Sequence, residues 1–196
     1  TFVTRKITRA ISKMALGLQD KLFLGNLDSQ RDWGHAKDYV KMMWMILQAS
    51  KADDWVIATG KTNSVREFVR LAFKYLGVEI EFKGEGVEEK GFISSVQNND
   101  YKFKVGQEVV NVDSKYFRPS EVDILVGDPS KAKNELGWAP ETSLNELVED
   151  MMRSDLKLMQ KELDLLNLGY KSNNYFEWSI RLPKYISLGL YFVQWQ

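Results

Sequence analysis

Four short clusters hold residue types that grip phosphate or sugar oxygens. Thr4-Arg5-Lys6 stands at a helix start, where unpaired N–H groups and the helix dipole favour anions and Lys6 adds a full charge. A solvated helix face accounts for it equally well. Leu24-Gly25-Asn26 follows a short apolar run. Its glycine lets a ligand approach the backbone and its asparagine offers a donor and an acceptor, though the same residues also make an ordinary turn. Arg31, in Arg31-Asp32-Trp33, carries a guanidinium fork that fits phosphate oxygens and equally fits a neighbouring carboxylate. In Tyr116-Phe117-Arg118-Pro119-Ser120-Glu121, Pro119 stiffens the segment, Arg118 suits a diphosphate, and Glu121 can accept from a sugar hydroxyl or a base N–H. Arg118 and Glu121 can also pair with each other. No cluster is specific alone.

Other chemistries are excluded or weak. The chain has no cysteine, which removes disulfides, thiolate catalysis and cysteine zinc sites and fits a cytosolic protein. Its one histidine, His35, rules out a multi-histidine metal site and, near a helix start, reads as structural rather than as a general base. Glu88-Glu89 reads as a solvated acidic turn rather than a cation site. Gly84-Glu85-Gly86 lacks the third glycine and the following helix of a dinucleotide fingerprint. With 27 basic and 27 acidic residues, no global field draws in nucleic acid or an anionic membrane, so any bound anion needs a local basic cluster. No signal peptide is evident, and the longest apolar run, Ile186–Val193, falls well short of the roughly 20 residues that span a bilayer.

The elements that must position these clusters follow from periodicity. Val3, Ile7, Ala10, Ile11, Met14 and Leu18 recur at helical spacing, with Gly17 near the end. Leu22–Leu24 reads as a short strand before the turn residues Gly25-Asn26 and Asp28-Ser29. A helix is expected from Ala36 to Gln48 with Tyr39, Val40, Met43, Trp44 and Leu47 on one face. Trp55–Thr59 reads as a compact apolar strand. Ser64 and Glu67 have capping-box spacing ahead of the stripe Val65, Phe68, Val69, Ala72 and Leu76. Strand-like runs follow at Glu79–Lys83, Phe92–Val96 and Val109–Val112. Asp128-Pro129 opens a short helix, Asp128 at the cap, that Gly137 stops. A long helix starts at Ser143, with Glu146 three residues on, and carries Leu144, Leu147, Val148, Met151 and Leu156. No internal repeat is present. After Tyr170 the capping signals vanish and seven of the last 26 residues are aromatic. Residues 171–196 therefore read as an appendage distinct from residues 1–170.

In this order the segments resemble the C-terminal half of the GDP-mannose 4,6-dehydratase family, extended short-chain dehydrogenase/reductases. The resemblance is carried by Thr1-Phe2-Val3-Thr4-Arg5-Lys6-Ile7-Thr8, by Leu24-Gly25-Asn26, and by Arg31-Asp32-Trp33-Gly34-His35-Ala36-Lys37-Asp38-Tyr39-Val40. It continues through Gly86-Val87-Glu88-Glu89-Lys90-Gly91, Tyr116-Phe117-Arg118-Pro119-Ser120-Glu121-Val122, Gly127-Asp128-Pro129-Ser130-Lys131-Ala132 and Leu136-Gly137-Trp138. It covers residues 1 to about 170; the divergent tail suggests either a frameshift or read-through past the family's end or an acquired interaction strand.

The resemblance implies an α/β fold: the C-terminal part of a Rossmann-type NAD(P)-binding fold with its substrate-binding lobe, the N-terminal Rossmann half missing. It implies a GDP site lined by Val3, Lys6, Leu24, Gly25, Asn26, Arg31, Arg118 and Glu121, with Arg31 and Arg118 on the diphosphate. The family's reaction takes GDP-mannose to GDP-4-keto-6-deoxymannose: a tightly held NADP takes hydride from C4, water leaves across C5–C6, and the hydride returns to C6. Complete members form dimers or tetramers. The family's glycine-rich cofactor turn and its Tyr-x-x-x-Lys pair do not occur in these residues, since no tyrosine here has a lysine four positions on. No catalytic residue and no NADP site are therefore expected in this chain, which starts at Thr1 inside a helical pattern as though entered midway. The expectation is a dehydratase fragment, inactive alone unless a separate Rossmann half completes it. A standalone nucleotide-sugar-binding or interaction module, and a fragment of a related GDP-sugar reductase or epimerase, are the alternatives. Loss of a Rossmann half should leave an apolar face exposed and the chain poorly soluble.

Overall fold

A computed structural model describes residues 2–170; Thr1 and the aromatic-rich segment 171–196 lie outside the described residues. Five helices, α1 (Val3–Ala15), α2 (Ala36–Gln48), α3 (Val65–Tyr75), α4 (Ser130–Leu136) and α5 (Leu144–Asn167), alternate with short strands. The strands are β1 (Leu22–Leu24), β2 (Gln30–Arg31), β3 (Asn63–Ser64), β4 (Val78–Lys83), β5 (Lys90–Val96), β6 (Glu108–Val112) and β7 (Ile124–Leu125). They form a four-stranded sheet in the order β1-β6-β5-β4 and a three-stranded one in the order β3-β2-β7.

One core binds the larger sheet to α1, α3 and α5. Ile7, Ile11 and Met14 of α1, Phe68, Val69 and Phe73 of α3, and Val148 and Met152 of α5 are buried with Leu22, Leu24, Val78, Ile93, Val109 and Val110. Fully burying a side chain of this size contributes about 1.5–3 kcal/mol. The two expected serine caps form, the first in one direction only. Ser64 Oγ accepts from the Glu67 N–H at 3.1 Å, and Ser143 with Glu146 makes a reciprocal capping box. Gly137, at φ +67°, takes the left-handed turn that closes α4, a conformation costly for any residue with a Cβ. Helix α4 starts one residue later than expected, at Ser130, with Asp128 Oδ1 accepting the Ser130 N–H at 2.9 Å.

Parallel pairing brings distant clusters together. Strands β1 and β6 run parallel, Leu24 opposite Val112, so the chain leaves both toward the same end of the sheet. Leu24-Gly25-Asn26 and the Tyr116–Arg118 turn therefore emerge side by side. Strands β2 and β7 are also parallel, Arg31 opposite Leu125, which sets Arg31 beside residues 121–122.

A second, small core joins α2 to α4 through Met42, Ala132 and Trp138. Trp138 Nε1 donates to the Asp38 carbonyl at 3.1 Å, and Asp38 Oδ2 accepts from the N–H groups of Glu141 and Thr142 at 3.2 and 3.0 Å. The expected α2 stripe shares one face, but only Tyr39 of it packs against this core: Val40, Met43, Trp44 and Leu47 are exposed, and Met42 fills the core instead. One expectation fails here. Residues 55–59 make no strand among the described residues, although their composition is strand-like, because a strand exists only where a neighbour pairs with it. No described helix is long and apolar enough to cross a membrane.

Candidate functional site

All eight residues expected at the nucleotide site, Val3, Lys6, Leu24, Gly25, Asn26, Arg31, Arg118 and Glu121, line one cavity of about 420 Å³. Ligand pockets commonly measure roughly 300–1,000 Å³, so a nucleoside diphosphate is of suitable size. Ser29, Val65, Tyr116 and Leu125 complete the lining. Of these, Tyr116 opens the fourth cluster. Ser29, Val65 and Leu125 carry no distinguishing chemistry and come to the wall only through the β2–β3 and β2–β7 pairings.

The first turn of α1 forms one wall. Its early N–H groups have no intrahelical acceptor, and the cap residue Phe2 supplies no side-chain bond. The Thr4-Arg5-Lys6 cluster divides. Arg5 turns away to the buried Asp155 of α5, 3.1 Å distant, and Thr8 Oγ1 donates to that carboxylate at 2.6 Å. Lys6 turns to the cavity, its Nζ 3.5 Å from the centroid of the Tyr116 ring.

The opposite wall is made where the ends of β1 and β6 meet. Gly25 is required by chain packing: a Cβ there would lie 2.2 Å from the Tyr116 carbonyl oxygen. Asn26 also serves the protein before any ligand. Its amide donates to the Arg118 carbonyl at 2.9 Å and its oxygen accepts from the Arg118 N–H at 2.8 Å. This two-way clasp fixes the Arg118 backbone while the Arg118 side chain stays largely exposed at the rim.

Arg31 forms the cavity's fixed cation. Its guanidinium donates to Glu121 Oε1 at 2.7 Å, to the Val122 carbonyl at 2.8 Å and to the Gln30 carbonyl at 2.8 Å. Arg118 reaches only 4.0 Å from Glu121, so the carboxylate belongs to Arg31 rather than to its sequence neighbour. Three cations and one carboxylate therefore share the cavity, a net field suited to a multiply charged anion.

The remaining candidates stand apart. His35 caps α2: its Nδ1 accepts from the Lys37 N–H at 3.1 Å, which leaves the Nε2 proton for Asp150 at 3.3 Å. Glu89 pairs with Arg66, which also grips Asp28. No group of acidic or histidine side chains among the described residues could hold a metal ion. Gly84-Glu85-Gly86 lies in the connection between antiparallel β4 and β5, with a single 3-10 turn and no α-helix behind it. That geometry does not fit a dinucleotide, whose pyrophosphate needs a strand-to-helix turn.

The sequence model of GDP-mannose 4,6 dehydratase matches residues 1–151. The chain belongs to this family. It is 57% identical over 172 residues to a GDP-mannose 4,6-dehydratase of Yersinia enterocolitica, covering 87% of this chain and 46% of that protein. It is 46% identical over 159 residues to the human GDP-mannose 4,6 dehydratase, covering 81% of this chain and 40% of that one. The chain thus spans less than half the length of these family members. Among solved structures, RMD from Pseudomonas aeruginosa complexed with NADPH is similar at a TM-score of 0.60 and 18% identity, over 80% of this chain and 43% of that one. A UDP-glucose 4-epimerase from Bifidobacterium longum, in complex with NAD+ and UDP, aligns at 0.52 and 17% identity over 79% and 40%. These likenesses establish the fold alone: part of an α/β, Rossmann-type architecture.

Proposed function

We propose that the cavity between α1, β1, β2 and the Tyr116–Glu121 turn receives the GDP portion of GDP-mannose, with Arg31, Arg118 and Lys6 facing the diphosphate. The single observation that carries this reading is convergence. Val3 and Lys6, Leu24 to Asn26 with Arg31, and Arg118 with Glu121 come from separate stretches of the chain, yet line one cavity holding three cations beside an uncapped helix start. Arg31 is already ordered by Glu121 and Val122, so little side-chain entropy remains to be lost on binding.

The complete enzyme on this reading converts GDP-mannose to GDP-4-keto-6-deoxymannose, and this chain supplies its sugar-nucleotide surface in a cytosolic, homo-oligomeric assembly. NADP, which supplies hydride exchange at C4 and C6, is held on this reading by the other half of the enzyme. No catalytic role is assigned to any residue of this chain.

Titration calorimetry of the purified chain tests the reading. GDP should bind, UDP more weakly, and Arg31→Ala should lower GDP affinity roughly 10- to 100-fold, as expected for losing a charge-assisted contact. Absence of GDP binding, or an Arg31→Ala variant that binds as well as the parent, would reject it. The chain should show no turnover of GDP-mannose with added NADP; turnover would place catalytic groups within it.

A further inference from the structure

We infer that Asp32, the residue directly after β2, is a positioning residue that holds Arg31 in place from outside the cavity. Arg31 lines the cavity and Asp32, one residue on, does not. The Asp32 carboxylate gathers donors from two separate segments. Oδ1 accepts from the Thr59 N–H at 2.9 Å and from Thr59 Oγ1 at 2.6 Å. Oδ2 accepts from the Gly60 N–H at 2.9 Å and the Gly127 N–H at 3.4 Å.

The need for such a node follows from the length of the strands. β2 and β7 pair over two residues only, and a ladder that short resists a register slip weakly. Yet the Arg31 contacts depend on register, since Glu121 and Val122 lie on the chain just before β7. The Asp32 N–H donates to the Leu125 carbonyl at 3.0 Å, and its carboxylate holds Gly127 beyond the end of the pair. Segment 127 in turn lies so close to segment 58 that a Cβ on Gly127 would come within 2.3 Å of the Ala58 Cβ. Asp32 thus closes a frame of three segments around β2, and Arg31 and Glu121 meet inside it. Its consequence for ligand affinity rests on the nucleotide reading above; its consequence for Arg31 does not.

The test separates the two. In the ligand-free, full 196-residue chain, nuclear magnetic resonance of the Arg31 Nη protons, assigned through Arg31→Lys, reports whether hydrogen bonds slow guanidinium rotation. Asp32→Asn replaces an acceptor by a donor facing N–H groups and should broaden the Arg31 signals, while those of Arg66, tied independently to Asp28 and Glu89, persist. Unchanged Arg31 signals overturn the inference. If the Arg66 signals vanish as well, the variant has unfolded and the milder Thr59→Val decides: partial broadening confined to Arg31 supports the frame, and none overturns it. GDP titration of the same variants then reads the functional side. Asp32→Asn should weaken binding several-fold in the parent but not in an Arg31→Ala background, the non-additivity expected of coupled neighbours. A parent chain that binds no GDP rejects the nucleotide reading and leaves the Arg31 measurement to stand alone.

Discussion

At the scale of single residues, the cavity is built from side chains that serve the protein first. Asn26 spends its amide on the Arg118 backbone, and Gly25 exists to let the Tyr116 carbonyl approach. Gly25→Ala should therefore push apart both walls and weaken GDP binding by calorimetry while the α1–α3–α5 core keeps its thermal transition. Glu108 offers a pH test. The Lys21 ammonium, with Asn111 and Lys90 beside it, lowers its pKa to about 2. A carboxylate whose folded pKa is depressed stabilises the fold above its unfolded pKa, and that contribution is lost as pH falls from the ordinary carboxylate range through about 2. Glu108→Gln should flatten the acid limb of stability between about pH 4.5 and 2, measured by thermal melts across that range, with no change near neutrality in the slope with pH.

At the scale of elements, α5 is the brace. It packs on both α1 and α3, and its Asp155 reaches Thr8 and Arg5 of the helix whose start faces the cavity. Its own start depends on the Ser143–Glu146 box. Ser143→Ala should cost about 1 kcal/mol by chemical denaturation. Met152→Ala, at a position with no solvent exposure, should cost about 2–5 kcal/mol because it leaves a cavity as well as removing apolar contact. A smaller loss at Met152 than at Ser143 would show that α5 frays from the rest of the core.

At the scale of the whole molecule, the apolar surface is unevenly disposed. Val40, Met43, Trp44 and Leu47 of α2 are exposed in a row at helical spacing, Trp44 by 62% and Leu47 by 79%. Val56 and the run Ile124–Val126 are also exposed. Clustered apolar exposure of this kind drives association. The chain should bind a hydrophobic dye and scatter light at micromolar concentration, and the pair Met43→Glu with Leu47→Lys should reduce both while leaving GDP titration unchanged. Equal scattering by parent and variant would show that the α2 face does not drive association.

The sequence by itself determined the helices and most of their ends, α4 starting one residue late, because caps, glycine stops and the 3.6-residue period are local: Ser64 with Glu67, Ser143 with Glu146, and Gly137 each act within a few residues. It also determined which residues carry charge suited to a diphosphate. Tertiary structure alone decided how those charges are arranged, since whether Arg31 pairs with Glu121 or Arg118 does depends on parallel pairing across about ninety residues. It likewise decided that Arg5 leaves the cavity while Lys6 stays, that α2 presents Met42 rather than Trp44 to its small core, and that residues 55–59 remain without a strand partner. Periodicity states that a residue is apolar, and only its neighbours in space state what covers it.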